Sequence, residues 1–247
     1  MGEPGFVRSL DVVSAVDQVT LEIRRSILSG DLGPGQEFSL RKIAEQLGVS
    51  LIPVREALRR LESQGLVVTR RAKSAMVAPL DPQEFRDVYR LRLTIEPELA
   101  GRASALLTDD DLERLDELQV AHARAPDGDE RHQAHHAFHT AMLRPAATPW
   151  DARVLDMLWH ASERYVGYAF NGIAADPSEP ARRGKAHSDL VAAIRTGESK
   201  TASEALARHL IHTETIVLNA IETLESGETR ASLRMTPSRV VEKRPSV

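Results

Sequence analysis

The stretch SLRKIAEQLGVSLIPVREALRRLESQGLVV, residues 39–68, contains two short helical patterns separated by a glycine. In the first pattern, apolar residues recur at the spacing of one helix face, at Leu40, Ile43, Ala44 and Leu47. Ser39 stands where a helix N-cap is expected. Gly48 supplies the backbone freedom that the C-terminus of a helix and a sharp turn require. The first pattern therefore predicts a helix that ends in a tight turn.

The second pattern predicts a helix with one apolar and one basic face. Ser50 can cap this helix, and Pro53 falls in its first turn, where the missing N–H costs little. Its inner stripe is Val54, Ala57, Leu58 and Leu61, and its outer face carries Arg55, Arg59 and Arg60. Two helices joined in this way are typical of a helix-turn-helix, whose second helix enters the major groove of DNA. The alternative is an ordinary helical hairpin in a small core.

The residues that follow favour the DNA-binding interpretation. Residues 66–69 are β-prone, residues 70–73 are basic and residues 75–78 are apolar, which predicts a two-stranded hairpin with a cationic tip. This is the wing of a winged helix. Residues 39–74 hold eight Lys/Arg and three acids, a local charge of +5 in a chain of net charge −4. Such an asymmetry suits a surface that faces phosphates.

Residues 19–80 resemble the DNA-binding domain of the GntR family of bacterial regulators. The matching segments are ILSGDLGPGQEFS, RKIAEQLGVS and PVREALRRLESQGLV, in the family's order and spacing. The resemblance implies that Arg41 and Arg55 contact DNA. The family often has Ser-Arg-Thr-Pro-Val-Arg where this chain has Ser50-Leu51-Ile52-Pro53-Val54-Arg55, and a wing-tip Gly where it has Ser74. The predicted DNA-binding residues are Arg41, Ser50, Leu51, Ile52, Arg55, Lys73 and Ser74.

The composition is that of an ordinary globular protein, with 42% hydrophobic and 28% charged residues. The 247 residues suffice for two small domains. The chain has no cysteine, which excludes disulfides and thiolate metal sites and agrees with a cytoplasmic location. It has neither a run of eighteen apolar residues nor a signal peptide, so no membrane partner is expected.

Two prolines within residues 79–82 predict an extended linker between two domains. Residues 12–78 are expected to form the winged helix-turn-helix domain and residues 83–225 the second domain, in which apolar residues recur only at helical spacing. The predicted fold class is mainly α, with a small β-hairpin wing and a C-terminal all-α helical bundle. Residues 226–247 predict a disordered tail, which either touches DNA or is an inert extension, with the second favoured.

Four of the nine histidines have spacings that suit metal binding. His135 and His139 are four residues apart in a predicted helix, which places them on one face with Cβ atoms about 5–6 Å apart. Such a pair can hold one metal ion. His187 and His209 lie in two further amphipathic helices, so packing of the three helices would bring four imidazoles together. The alternative is that these are surface histidines or hydrogen-bonded core histidines.

Residues 81–224 resemble the all-helical effector-binding domain of the FadR subfamily of the same regulators. The motifs are VYRLRLTIEPELAGRA, FHTAM, AHSDLVAAIRTGE and ALARHLIHTE. Many members hold a divalent metal with an Asp four residues before the His of Phe-His and with one His in each of the last two helices. The resemblance assigns these three histidines to His139, His187 and His209, and His135 stands at the position of the Asp. The predicted metal ligands are therefore His135, His139, His187 and His209.

Four neutral nitrogens favour zinc, nickel, cobalt or copper over manganese or magnesium, so the expected cofactor is a divalent metal, zinc or nickel. Arg92 matches the arginine that many members point into the cavity, and its guanidinium suits a small organic carboxylate effector. The alternative for Arg92 is a surface salt bridge with Glu96.

Further polar contacts are expected from the helix that starts near residue 150, at Arg164, Tyr165, Tyr168 or Asn171. The remaining histidines divide into His132, His136 and His212, expected to face outward, and His122 and His160, without an assigned role.

These observations predict a ligand-responsive transcription regulator and not an enzyme, with repression as the narrower expectation. It would act as a homodimer on a palindromic DNA operator, because two recognition helices related by a two-fold axis read such a site. One alternative is a metal-dependent hydrolase that uses the four histidines, although no Asp or Glu stands between the paired histidines to act as a base. Another is a regulator that senses the metal directly.

Overall fold

The computed structural model describes residues 14–70, 74–125, 129–172 and 179–225 of the chain. The N-terminal part consists of α1 (Ala15–Leu28), β1 (Glu37–Ser39), α2 (Leu40–Leu47), α3 (Leu51–Ser63), β2 (Val67–Arg70) and β3 (Ser74–Val77). The C-terminal part consists of α4 (Pro82–Ser104), α5 (Asp109–Arg124), α6 (Asp129–Leu143), α7 (Pro149–Gly172), α8 (Glu179–Arg195) and α9 (Ser199–Glu225). The predicted fold class, mainly α with a small sheet beside a helical bundle, is confirmed. The predicted tail, residues 226–247, lies outside the described residues.

The helix-turn-helix forms through its predicted N-cap and glycine turn. The Ser39 hydroxyl accepts a hydrogen bond from the backbone N–H of Lys42 at 3.5 Å, and Gly48 has a φ of 66° in the left-handed region. The inner stripe of α3, Val54, Ala57, Leu58 and Leu61, is at most 1% exposed. Ser50 occupies the N-cap position of α3, although its hydroxyl accepts no capping hydrogen bond.

The small sheet has three strands instead of the predicted two. β3 lies in the centre and pairs antiparallel with both β1 and β2, with Phe38 of β1 opposite Ala75. Phe38 is the buried residue of this three-residue strand. A strand with one inward side chain has no detectable alternation, so β1 is defined by its pairing with β3 rather than by its own sequence.

The helical part closes around α4 and α9, which pack along each other. Gly101 of α4 permits this approach, because a Cβ at that position would lie 2.8 Å from the backbone oxygen of Ser199 in the first turn of α9. Phe85, Tyr89 and Tyr165 form an aromatic cluster in the core, with ring centroids 4.4 and 4.9 Å apart. This core is separate from the hydrophobic core of the N-terminal part.

The segment between the two parts is fastened to α7. The Asp81 carboxylate caps α4 by accepting a hydrogen bond from the backbone N–H of Gln83 at 2.8 Å. The backbone N–H of Asp81 donates to the hydroxyl of Tyr165 at 3.3 Å. The start of α4 is therefore held in position by the core of the helical part. Within the described ranges, none of the helices has the length and apolar character needed to cross a membrane.

Candidate nucleic-acid interface and metal centre

The helix-turn-helix presents two exposed arginines that have no ion-pair partner among the described residues, Arg41 of α2 and Arg55 of α3. Three other arginines of this part are paired: Arg59 with Glu56 at 2.9 Å, Arg60 with Asp17 at 2.5 Å and Arg70 with Glu37 at 3.2 Å. Intramolecular pairing thus removes part of the positive charge counted along the sequence. Among the described residues of the helix-turn-helix, the two arginines without an ion-pair partner are the two that the family resemblance assigns to DNA.

The two residues that depart from the family pattern at the start of α3 have different environments. Leu51 is half-buried and packs against the N-terminal core, whereas Ile52 is 72% exposed. Ile52 is thus the member of this pair with a free apolar surface. At the wing, Ser74 begins β3 and donates its hydroxyl to the carbonyl of Arg70 at 3.1 Å. Lys73 lies outside the described residues.

Four histidines from three helices converge in the helical part. His135 and His139 lie on α6, His187 on α8 and His209 on α9. One ring nitrogen from each lies within 4.8 Å of those of the other three. The ring centroids are 4.4 Å apart for His135 and His139 and 4.8 Å apart for His187 and His209. Tertiary packing therefore brings together all four predicted metal ligands.

The interior of the helical part keeps three of the four clustered imidazoles uncharged. Burial lowers the pKa of His135, His139 and His209 well below its ordinary value, because a charged imidazolium would lose its hydration. The neighbouring imidazoles lower these pKa values further, and Arg92 contributes at His139 and His209. The rings are therefore neutral at pH 7, the state in which imidazole binds a metal ion.

The hydrogen bonding of the cluster fits a metal ion. Both ring nitrogens of His139 and Nδ1 of His209 are buried and have no hydrogen-bond partner among the described residues. Buried polar atoms in folded proteins are nearly always paired, so these nitrogens need a partner that the described residues do not supply. Four imidazole nitrogens form a donor set suited to zinc or nickel. The residues present therefore fit a divalent cation.

His122 of α5 is a fifth member of the neighbourhood that the sequence did not single out. It is 7% exposed, and its ring centroid lies 4.7 Å from that of His187 and 5.3 Å from that of His135. The available signal was its position seven residues after the buried Leu115, which places it on the inner face of α5.

The remaining histidines only partly follow the sequence expectation. The expectation that His132 faces outward is wrong, because its Nε2 is buried and its ring lies against Gly167 of α7, where a Cβ would approach it to 3.0 Å. His136 is partly exposed and lies 3.3 Å from a carboxylate oxygen of Asp156, and His212 is exposed. His160 lies outside the cluster, with Nδ1 2.7 Å from the carbonyl oxygen of Asp156.

A small pocket, partly open to solvent, adjoins the cluster. His135, His139 and Arg92 contribute to its wall. Arg92 forms an ion pair with Glu96 at 2.6 Å, as the alternative interpretation had it, but the pair is buried, with side chains 3% and 0% exposed. The surface salt bridge considered from sequence is therefore wrong in its location. Trp159 also donates to Glu96, at 3.0 Å. The Nη1 group of Arg92 lies 3.4 Å from the Ser162 hydroxyl oxygen.

The polar contacts from α7 differ from those expected. The side chains that line the pocket are Trp159, Ser162, Glu163 and Val166. Arg164 and Tyr165 instead bind Glu84 near the start of α4, at 2.5 and 2.6 Å. Tyr168 is not among the lining residues, and the side chain of Asn171 lies outside what is described. A helix of this length needs its neighbours to decide which face is inward, and the sequence could not orient it.

Each half of the chain matches a known protein family. Residues 15–77 match the family described as bacterial regulatory proteins, gntR family, and residues 87–212 match the FCD domain. The HTH-type transcriptional regulator McbR of Escherichia coli is 26% identical over 198 residues, which cover 79% of this chain and 89% of that protein. The HTH-type transcriptional repressor GlaR of the same organism is 23% identical over 206 residues, 81% of this chain and 94% of that protein.

The solved structure of E. coli McbR/YncC superposes with a TM-score of 0.69 at 26% identity and covers 84% of this chain and 99% of that one. A putative GntR regulator from Rhodococcus sp. RHA1, at 19% identity and a TM-score of 0.64, shares the fold. These relatives are transcription regulators, which agrees with the expectation that the chain is not an enzyme. The chain belongs to the GntR family of bacterial transcription regulators, in the FadR-like group whose C-terminal part is an FCD domain.

Proposed function

We propose that this regulator binds an operator through α2, α3 and the wing, and that a divalent metal with a small organic carboxylate in the FCD domain controls that binding. The observation that carries the proposal is the convergence of four imidazoles in the helical part, two of which, His135 and His139, line the same pocket as Arg92. A neutral set of nitrogens next to a guanidinium makes the pocket cationic once a metal is bound. Such a pocket selects an anion.

Zinc or nickel is the metal that this set of ligands favours, with His135, His139, His187 and His209 as the residues that would hold it. His135 replaces the family's Asp, so the four ligands carry no negative charge. A bound metal would supply a Lewis-acidic positive charge to an anionic effector. Arg92 would add its Nη1 group, since its remaining contact there is a 3.4 Å approach to a hydroxyl.

At the DNA, Arg41 and Arg55 are proposed to be the main cationic contacts, because both are exposed and without an ion-pair partner among the described residues. Ile52 is proposed to meet a thymine methyl group. Ser50, Leu51, Lys73 and Ser74 complete the proposed interface, with Leu51 acting from the core side as a packing residue. The proposed domain limits are residues 12–78, 79–82 and 83–225.

The regulator is proposed to act in the cytoplasm as a homodimer on a palindromic operator, in which two copies of α3 occupy successive major grooves. Repression is the proposed sign of regulation. The narrower alternative, direct sensing of the metal, predicts that zinc changes DNA affinity without any organic ligand. The hydrolase alternative gains no support, because the family is one of transcription regulators.

The experiment is a gel shift with DNA from upstream of the protein's own coding sequence, at fixed salt, before and after addition of zinc and then of a panel of small carboxylates. Binding of this DNA and its change by zinc plus one carboxylate are expected. Elemental analysis of the same preparation is expected to show one metal per chain. Failure to retain any upstream fragment would overturn the operator assignment, and a metal content near zero after incubation with zinc or nickel would overturn the metal assignment.

A further inference from the structure

One turn of α7 connects the pocket of the FCD domain with the DNA-binding domain. Glu163 lines the pocket and forms an ion pair with Arg24 of α1. The two side chains are 10% and 14% exposed, so the pair is largely buried. Arg24 also donates through Nη1 to the side-chain oxygen of Gln64 at 3.3 Å, and Gln64 is the C-cap residue of α3. A continuous polar contact therefore runs from the pocket wall to the end of the recognition helix.

The neighbouring residues of α7 fasten the boundary between the domains without lining the pocket. Arg164 binds Glu84 of α4 at 2.5 Å, and Tyr165 donates to the same carboxylate at 2.6 Å. Neither residue belongs to the pocket wall. Among these three consecutive residues, Glu163 is thus the one that belongs to both the pocket and the contact with the DNA-binding domain.

Glu163 has two possible cationic partners once the pocket is filled. In the described state its carboxylate neutralises Arg24. A divalent cation held by His135 and His139, which line the same pocket, would attract the same carboxylate through a medium of low dielectric constant. Attraction of Glu163 towards the pocket would weaken its hold on Arg24, and the Arg24 charge would then be costly to keep buried. The Glu163–Arg24 ion pair would therefore be strong when the pocket is empty and weaker when the pocket holds a cation.

We propose that the Glu163–Arg24 pair is the switch through which occupancy of the pocket is transmitted to α1 and to the end of α3. This inference rests on the proposed function, in that it takes the pocket as the ligand site. Filling the cluster loosens Arg24 and frees the DNA-binding domain to change its orientation. Because binding couplings are reciprocal, loosening Arg24 must also change the affinity of the pocket for its cation.

Zinc alone is the probe for the test, and Arg24→Gln and Glu163→Gln are the variants, singly and together. Glu84→Gln is the matched control, because it makes the same chemical change at the same boundary but outside the pocket. Arg24→Gln releases Glu163 towards the pocket and is expected to raise zinc affinity about fivefold or more. In the Glu163→Gln background the same substitution is expected to have no effect, and Glu84→Gln is expected to leave zinc affinity unchanged.

Amide hydrogen exchange on the full chain gives the second measurement. Zinc is expected to accelerate exchange in α1 of the wild type and not in Glu163→Gln. Zinc binding that leaves α1 exchange and the Arg24→Gln affinity unchanged would overturn the switch and leave the metal site intact. A wild type that binds no zinc would overturn the metal assignment instead. In that case amide exchange of residues 159–166 is compared between metal-free Arg24→Gln and Glu84→Gln. A change confined to Arg24→Gln supports coupling of the two domains through this pair, and equal exchange in the two variants overturns it.

Discussion

The proposed DNA-binding surface and the histidine cluster both contain polar groups that have no hydrogen-bond or ion-pair partner among the described residues, but in opposite environments. Arg41 and Arg55 are exposed, so water solvates them in the free protein and their lack of a partner costs little. The His139 nitrogens are buried, so their lack of a hydrogen bond among the described residues leaves a substantial desolvation cost. The difference agrees with the proposed roles, in which the first surface exchanges water for phosphate and the second is completed by a bound metal.

The largest expected effect is on zinc binding by the cluster. It is tested by comparing two histidines that lie one turn apart on α9, His209 and His212. His209→Ala removes one of the four proposed metal ligands. It is expected to lower zinc affinity more than about 100-fold, since the loss of a residue that only supports a ligand already costs about 10–100-fold. The rise in melting temperature that zinc gives the wild type should disappear with it, since a ligand of the folded state stabilises that state. Zinc titration followed by calorimetry and thermal unfolding measures both.

His212→Ala is the control for this experiment, because His212 is exposed and lies on the same helix outside the cluster. It is expected to keep wild-type zinc affinity and the full thermal shift. Equal losses in the two variants would show that the convergence of the four rings does not define the metal site.

The second prediction uses pH, which affects the cluster and leaves the arginines of the DNA-binding surface charged. Burial lowers the folded-state pKa of His135, His139 and His209, so the unfolded chain binds protons first as the pH falls below about 6.5. Stability present above that pH is therefore lost progressively below it, by at most about 1.4 kcal/mol per pH unit for each ring that stays neutral. Thermal unfolding of the metal-free protein from pH 7.5 to 5 measures this loss.

The same shifts change the expected competition between protons and metal. Unperturbed imidazoles would begin to lose metal near pH 6.5, but the lowered pKa values move that loss to a lower pH in the folded protein. In the metal-free protein, a melting temperature that stays constant or rises as the pH falls would contradict the neutral state of these buried imidazoles.

The smallest effect is expected at the DNA-binding surface, where Arg55 and Arg59 lie one turn apart on α3. Arg55→Ala removes an exposed guanidinium near the start of the helix that has no ion-pair partner in the described part of the chain, and it is expected to weaken operator binding by about 1–3 kcal/mol. Arg59→Ala removes a side chain already paired with Glu56 and should have a smaller effect. Fluorescence anisotropy with labelled operator DNA at fixed salt compares the two. Equal losses would mean that the N-terminal end of α3 is not the part that faces the bases.

The sequence by itself determined the elements that depend on neighbours along the chain. The cap at Ser39, the left-handed turn at Gly48 and the apolar stripe of α3 are set by contacts within a few residues, so their pattern can be detected without the fold. The spacing of His135 and His139 predicted that the two share a helix face for the same reason. His187 and His209 joined them only as possible partners from packed helices and through the resemblance to the FadR subfamily.

Tertiary structure alone decided the features whose partners are distant in the chain. β1 exists because β3 pairs with it, and His122 reaches the cluster because α5 packs beside α6 and α8. Glu163 is separated from Arg24 by 139 residues, and no periodicity links the two positions. The sequence also could not show that Arg59 and Arg60 form ion pairs whereas Arg55 forms none with the residues that the structure describes. Local patterns specify backbone conformation and helix faces, whereas the environment of a side chain depends on which faces meet when the chain folds.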